Sequence, residues 1–220
     1  MQRVPSLLDA LGENDVVTSF VVFGELANQH RDCIEEILKK RHEIVNHTLS
    51  HPHKFRETAP NQMRREVESF QELMVMQFGY RPQGFRAPHL MRRYDTHLFR
   101  VLGEQGLYDS SYIGQGTSII DGVVEVPLTQ CPDHSRLCLD LWHHFELPFL
   151  RSSLREFLRL WEQALRHGHF VNVYFDPHHV SDVFLEELIG RAPNGSSFCR
   201  LGDIAQVVLK QHNENRQEHS

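Results

Sequence analysis

A chain of 220 residues, 40% hydrophobic and 24% charged, is long enough to bury a real core and has the make-up of a globular protein rather than a disordered one. Its net charge of −6 and the lack of a basic stripe argue against nucleic acid or an anionic membrane as partner. No apolar run approaches the roughly 18 residues that a membrane helix needs, and the N-terminus does not read as a signal peptide, so the expected compartment is the cytoplasm.

In chain order, Pro5 to Leu11 reads as a helix. Val16 to Phe23, β-branched and aromatic, reads as a buried strand. Gln29 to Arg41 places Cys33, Ile34, Ile37 and Leu38 on one helical face, with Lys39-Lys40-Arg41 at its solvated end, and the strand His42 to Asn46 follows. Asn61 to Gly79 carries Met63, Val67, Phe70, Met74 and Phe78 at helical spacing and stops at a glycine. Gly84-Phe85-Arg86 is a short strand ended by Pro88, Asp95 to Gln105 a helix, and Leu107 to Asp109 another short strand. The stretch from Ile113 to Leu150 is strand-rich, with Val123 to Leu128 its clearest strand. Ser153 is placed to cap a helix whose stripe is Leu154, Phe157, Leu158, Trp161 and Leu165, ended at Gly168. Phe170 to Phe175 reads as a buried strand. Helices over Val183 to Arg191 and Leu201 to Gln211 complete a single domain, residues 1–211. The polar tail 212–220 is expected to fray.

Cys33, Cys131, Cys138 and Cys199 have no C-x-x-C spacing and read as free thiols, with a Cys131–Cys138 hairpin bridge as the alternative. Strands alternating with helices imply a mostly parallel sheet or barrel. In such folds chemistry collects at the C-terminal ends of strands.

The ionisable residues fall at those ends. His47 and His51 follow one strand, four residues apart, a spacing that lets two imidazoles hold one ion. Arg86 and His89 end a second strand, Asp109 a third, and Asp176, His178 and His179 a fourth. Each has a plainer reading: a polar loop at 47–51, a surface Arg86, a turn cap at Asp109, an Asp-Pro turn at Asp176, a solvated loop at His178. Trp142-His143-His144 reads as core or rim packing, and His53 has no assigned role.

Taken as whole strings, the motifs resemble the polysaccharide deacetylase family, the NodB homology domain of family 4 carbohydrate esterases. His47-Thr48-Leu49-Ser50-His51 is similar to its metal-histidine motif and Gly84-Phe85-Arg86-Ala87-Pro88-His89 to its R-x-P motif. Tyr108-Asp109-Ser110-Ser111 and Val124-Glu125-Val126-Pro127 resemble its groove motif and the strand that follows. The likeness runs from Pro5 to Leu209. It implies an α/β fold, a distorted (β/α) barrel of the glycoside hydrolase and deacetylase type. Two departures stand out. The family's first strand, ending in Thr-Phe-Asp-Asp, is not seen ahead of Pro5, so the expected barrel lacks that strand and its acid pair. The His of the family's last motif is replaced by Asp176.

The resemblance implies a metal-dependent hydrolase that removes N-acetyl or O-acetyl groups from a polysaccharide or N-acetylated sugar. A divalent ion, zinc or cobalt, would sit on His47 and His51. Arg86 would orient the base, the His89 N–H would hold the oxyanion, and Asp109 and Tyr112 would meet substrate. In a rewired site Asp176 would supply the missing carboxylate, with His178 or His179 as the acid. A truncated chain and a silent carbohydrate-binding pseudoenzyme are the other readings, with hydrolysis of a small cytosolic amide as a further alternative. The partner implied is a carbohydrate, and the oligomeric state stays open.

Overall fold

The computed structural model describes residues 3–140, 154–167 and 170–218. They gather into two compact units. The larger holds Val17–Tyr112, Thr117–Val126 and Cys199–Ser220, and the smaller holds Met1–Val16, Ile113–Gly116 and Pro127–Phe198.

Helix α1 (Val4–Glu13) opens the smaller unit with Pro5 in its first turn, where a missing N–H costs nothing. Strand β1 (Ser19–Val22) starts the larger unit, followed by α2 (Gly24–Gln29) and α3 (Arg31–Lys39), which buries Ile34 and Ile37 as its spacing predicts. Strand β2 (Glu43–Asn46) is buried throughout. Helix α4 (Pro60–Phe78) buries Met63, Val67, Phe70 and Met74 and ends at Gly79, whose φ of 60° suits a residue without Cβ. Strand β3 (Gly84–Phe85) leads to α5 (Thr96–Gln105), capped by the Asp95 carboxylate on the N–H groups of His97 and Leu98. Strand β4 (Tyr108–Asp109) follows.

After β5 (Ile113–Gly114) in the smaller unit, β6 (Ser118–Ile120) and β7 (Val123–Glu125) return to the larger one. Its sheet runs β1-β2-β3-β4-β7-β6, parallel except for the antiparallel β6–β7 hairpin. Beside it Phe55, Phe85, Leu98 and Phe99 belong to one buried cluster. Full burial of each such side chain contributes about 1.5–3 kcal/mol.

The rest of the smaller unit is β8 (Leu128–Cys131), β9 (His134–Cys138), α6 (Leu154–His167) and α7 (Asp182–Gly190), which is capped by Ser181. Its sheet runs β5-β8-β9. Helix α8 (Leu201–Glu218) closes the larger unit.

The expectation of an α/β chain built on parallel strands holds, and among the described residues those strands close no barrel. Three local expectations change. The single strand Val123 to Leu128 breaks at Val126-Pro127 into β7 and β8, because Pro127 has no N–H to donate. Phe170 to Phe175 forms one isolated bridge, Asp140 to Tyr174, and its Phe, Val and Tyr side chains are half-buried. There the Asn172 N–H goes to Thr129 Oγ1 at 2.8 Å and the Asn172 side chain to the Pro127 carbonyl at 3.1 Å, so side chains take up bonds that a ladder would use. The segment from His212, expected to fray, is helical to Glu218. None of the four cysteines is in a disulfide: Cys138 donates to Asp140 Oδ2 at 2.7 Å, and Cys131 Sγ lies 3.3 Å from His134 Nδ1. Ser153, Gly168 and Trp142-His143-His144 lie outside the described residues.

The strand starts are tied by one buried carboxylate. Glu43 accepts from Ser19 Oγ, from Tyr108 OH at 3.0 Å and from the Gly202 N–H at 3.1 Å. The Leu201 N–H donates to Ser19 Oγ at 2.8 Å. A negative charge thus sits at the N-terminus of α8, where the helix dipole favours it. Tyr108 reaches Glu43 by passing over Gly84, where a Cβ would lie 2.0 Å from Tyr108 Cζ.

Candidate metal-binding site

Four neighbouring strands of the larger unit end level with one another. The residue after each donates its N–H back to the strand before. His47 donates to Val22 at 3.1 Å, Arg86 to Asn46 at 2.9 Å, Ser110 to Phe85 at 2.9 Å and Val126 to Asp109 at 2.8 Å. The sheet therefore fixes where each of these side chains starts.

The loop after β2 is wound tightly. Fully buried Asn46 gives its side-chain NH2 to the Val67 carbonyl at 2.9 Å and accepts the Thr48 N–H at 2.9 Å. Thr48, at φ 70°, accepts the His51 N–H on Oγ1 at 3.0 Å, and His51 itself sits at φ 53°. Ser50 gives both N–H and hydroxyl to Glu66 at 2.9 and 2.8 Å. Two non-glycine residues in the left-handed region carry local strain that the surrounding bonds hold in place. The result sets the rings of His47 and His51 4.8 Å apart.

His47 Nδ1 lies 2.6 Å from the Arg86 carbonyl oxygen. A carbonyl only accepts, so Nδ1 carries the proton and Nε2 presents its lone pair. That outer hydrogen bond is the usual companion of a metal-ligating imidazole. Burial pushes the His47 imidazole down to about 3, and burial followed by the neighbouring His89 lowers His51. Two imidazoles held neutral side by side are suited to a borderline divalent ion. Among the described residues, His47 and His51 belong to no set of three such donors mutually within 4.8 Å.

His89, at φ 56°, extends this pair into a cluster. Its ring lies 5.2 Å from that of His51, and His53 stacks on it at 5.5 Å with planes 17° apart. Burial, then the charges of His53 and Arg56, lowers the His89 imidazole. Sequence reasoning gave His53 no role because nothing in the string marks it as facing His89.

Arg86 is buried. Its Nε donates to the Ser110 carbonyl at 2.9 Å and its Nη2 to Ser110 Oγ at 2.7 Å. The negative charge near it comes from Asp109 and Glu125, cross-strand partners in the β4–β7 register. Asp109 accepts from the Ser110 N–H at 2.9 Å and from Ser111 Oγ, while Glu125 accepts the Tyr112 N–H at 3.2 Å. Asp109 Oδ2 and Glu125 Oε2 are both buried with no other polar partner. Burial raises Asp109 to about 6 against the hydrogen bond from Ser111, and burial plus the charge of Asp109 drives Glu125 up to about 10. Both carboxyl groups are thus raised, Glu125 the more, and the Arg86 guanidinium opposes that rise.

Asp109, expected to meet substrate, is wholly buried, so its carboxylate works inside the fold. Tyr112 is half-buried with its hydroxyl on the Arg93 carbonyl at 3.2 Å. His47, His51, Arg86 and His89 lie together in the larger unit, and Asp176 and His178 lie in the smaller one. Sequence reasoning missed Glu125 as a partner of Asp109. The signal was a charged residue inside an apolar strand, Val-Val-Glu-Val.

Parallel strands ending in a neutral imidazole pair beside a buried arginine define an α/β protein that gathers its ionisable side chains at the C-terminal ends of its strands. Residues 1–108 match the family model described as polysaccharide deacetylase, and through that stretch the chain belongs to the polysaccharide deacetylase family. A peptidoglycan-N-acetylglucosamine deacetylase of Bacillus cereus is 28% identical over 89 residues, 40% of this chain and 32% of that protein. A chitooligosaccharide deacetylase of Sinorhizobium fredii is 38% identical over 48 residues, 22% of each chain. The chain thus matches about a third or less of the length of these curated relatives.

The fold is likewise shared with solved structures. A Mycobacterium smegmatis protein assigned to the polysaccharide deacetylases superposes with a TM-score of 0.81 at 24% identity, covering 96% of this chain and 78% of that one. A family 4 carbohydrate esterase pseudoenzyme from Bacillus anthracis gives 0.61 at 12% identity, covering 92% and 60%.

Proposed function

We propose that this chain serves a metal-dependent deacetylase that removes acetyl groups from N-acetylated sugars of a polysaccharide. Its support is the family match, the printed activities of the Bacillus and Sinorhizobium relatives, and one geometric observation. That observation is the His47 Nδ1–H bond to the Arg86 carbonyl, which leaves the Nε2 lone pair as the donor of a ring 4.8 Å from that of His51.

A divalent ion on these two imidazoles, zinc or cobalt, would polarise the acetamide carbonyl and acidify a bound water. The chain's own residues do the rest. Arg86, anchored on Ser110, fixes the carbonyl that orients His47. The His89 backbone N–H stabilises the oxyanion. Tyr112 lines the sugar site, and Asp109 acts on it from within through Ser111. Asp176 as carboxylate and His178 as acid to the leaving amine rest on sequence position alone.

A second reading, a silent carbohydrate-binding domain, is favoured by the absence, among the described residues, of a set of three donors mutually within 4.8 Å that includes His47 and His51, and by pseudoenzymes with the same fold. Acetate release from chitooligosaccharides with zinc or cobalt added separates the two. Release that disappears in His47→Ala and His51→Ala supports the deacetylase. Sugar binding with no acetate released from the unaltered chain refutes it.

A further inference from the structure

In the smaller unit the backbone is extended at Asp176, and Pro177 then opens a single 3-10 turn through His179. The His179 N–H donates to the Asp176 carbonyl at 3.0 Å and the Val180 N–H to the Pro177 carbonyl at 3.4 Å. Arg3 Nη2 holds the Val180 carbonyl at 2.9 Å. Proline and these bonds fix the turn before any ligand arrives, which lowers the ordering cost of binding.

Within this turn a carboxylate oxygen of Asp176 and one nitrogen from each of His178 and His179 lie mutually within 4.8 Å. The two rings are 3.8 Å apart, inclined at 45°. Tyr174 OH donates to Asp176 Oδ1 at 3.2 Å, an outer bond of the kind that orients a ligating carboxylate. His178 is exposed, which gives an ion a way in, while Asp176 and His179 are half-buried.

We propose that Asp176, His178 and His179 form a divalent transition-metal site of their own, apart from the imidazole pair His47 and His51. Two imidazoles and one carboxylate suit zinc, cobalt or iron(II) with coordination positions left open for water or a ligand oxygen. Calcium and magnesium, which take all-oxygen shells, do not fit this donor set. The proposal goes beyond the deacetylase reading and does not depend on it. An ion here would occupy the side chains that a rewired deacetylase site would use as its carboxylate and its acid.

Cobalt(II) titration of the purified chain, followed by its ligand-field absorption and by counting bound metal, tests it. The His47→Ala/His51→Ala double variant is expected to keep one cobalt per chain. Adding Asp176→Asn or His178→Ala to that double variant abolishes its uptake. Tyr174→Phe in the same background weakens it about tenfold. Far-UV circular dichroism checks folding, and exposed His178 supplies the variant least able to disturb it. Two results overturn the proposal: no cobalt bound by the folded double variant, or undiminished binding once Asp176 or His178 is replaced. Because the double variant lacks the first imidazole pair, failure of the deacetylase reading leaves this outcome untouched.

Discussion

Asp109 and Glu125 face each other across adjacent parallel strands next to the Arg86 guanidinium, and burial raises both carboxyl groups above their ordinary values. Two carboxyl groups at this depth cannot both ionise, and the arrangement links β7 to the loop that positions His47. Asp109 holds Ser111, Ser111 Oγ accepts the Ala87 N–H at 2.8 Å, and Arg86 lies one residue earlier.

The pair gives stability a definite slope with pH. Both folded values lie above the ordinary ones, 3.8 to about 6 for Asp109 and 4.5 to about 10 for Glu125, so the native state binds more protons than the unfolded chain between those limits. Stability contributed by the pair is therefore present at low pH and falls as pH rises from about 4.5 toward 10. We expect the urea midpoint to drop between pH 5 and pH 9, and Glu125→Gln to flatten that drop. An equally steep drop in the variant would show that the slope arises elsewhere.

Ser110 is the hinge of the arginine clamp. Its hydroxyl accepts from Arg86 Nη2 at 2.7 Å and donates to the Val126 carbonyl at 2.6 Å. Ser110→Ala leaves a buried charged donor short of a partner, so we expect a loss of about 1–3 kcal/mol in chemical denaturation. A change within about 0.5 kcal/mol, the range usual for uninvolved surface positions, would contradict this.

Gly84 lets the Tyr108 ring cross to Glu43. Gly84→Ala places a methyl inside that ring, and we expect at least about 1–3 kcal/mol of destabilisation from overpacking. Gly84→Ala/Tyr108→Leu should recover part of it, and a double-mutant cycle with no coupling would refute the contact as the cause.

Glu43→Ala is expected to cost about 1–3 kcal/mol, since it strands the Tyr108 hydroxyl and the Gly202 N–H in the interior. Hydrogen exchange at Leu201 and Gly202 should quicken before exchange in α4 does. Uniform acceleration across the larger unit would argue against a local anchor.

Most of the larger unit was legible from the residues. A β-branched and aromatic run marked β1, a short apolar run marked β2, and the Met63–Met74 spacing marked α4, because each signal is local to its segment. What failed to show depended on partners far along the chain. Asn172 and Thr129 trade side-chain bonds for ladder bonds, and neither residue signals that alone. Pro127 did carry its signal, and an apolar run outweighed it. At the site, His47, His51 and Arg86 were marked by their motifs. The burial of Asp109 against Glu125 was not, since a carboxylate after a strand reads as solvent-facing until its cross-strand neighbour is known.

The carboxylate knot at Glu43 and the imidazoles at 47 and 51 sit at opposite ends of the same short strands. Architecture is secured where the strands begin as well as at Ser110 beyond β4, so the less buried positions of the far turns are the ones open to diversification. A library that randomises His53 and Leu90 should therefore yield mostly folded proteins that differ in what they bind.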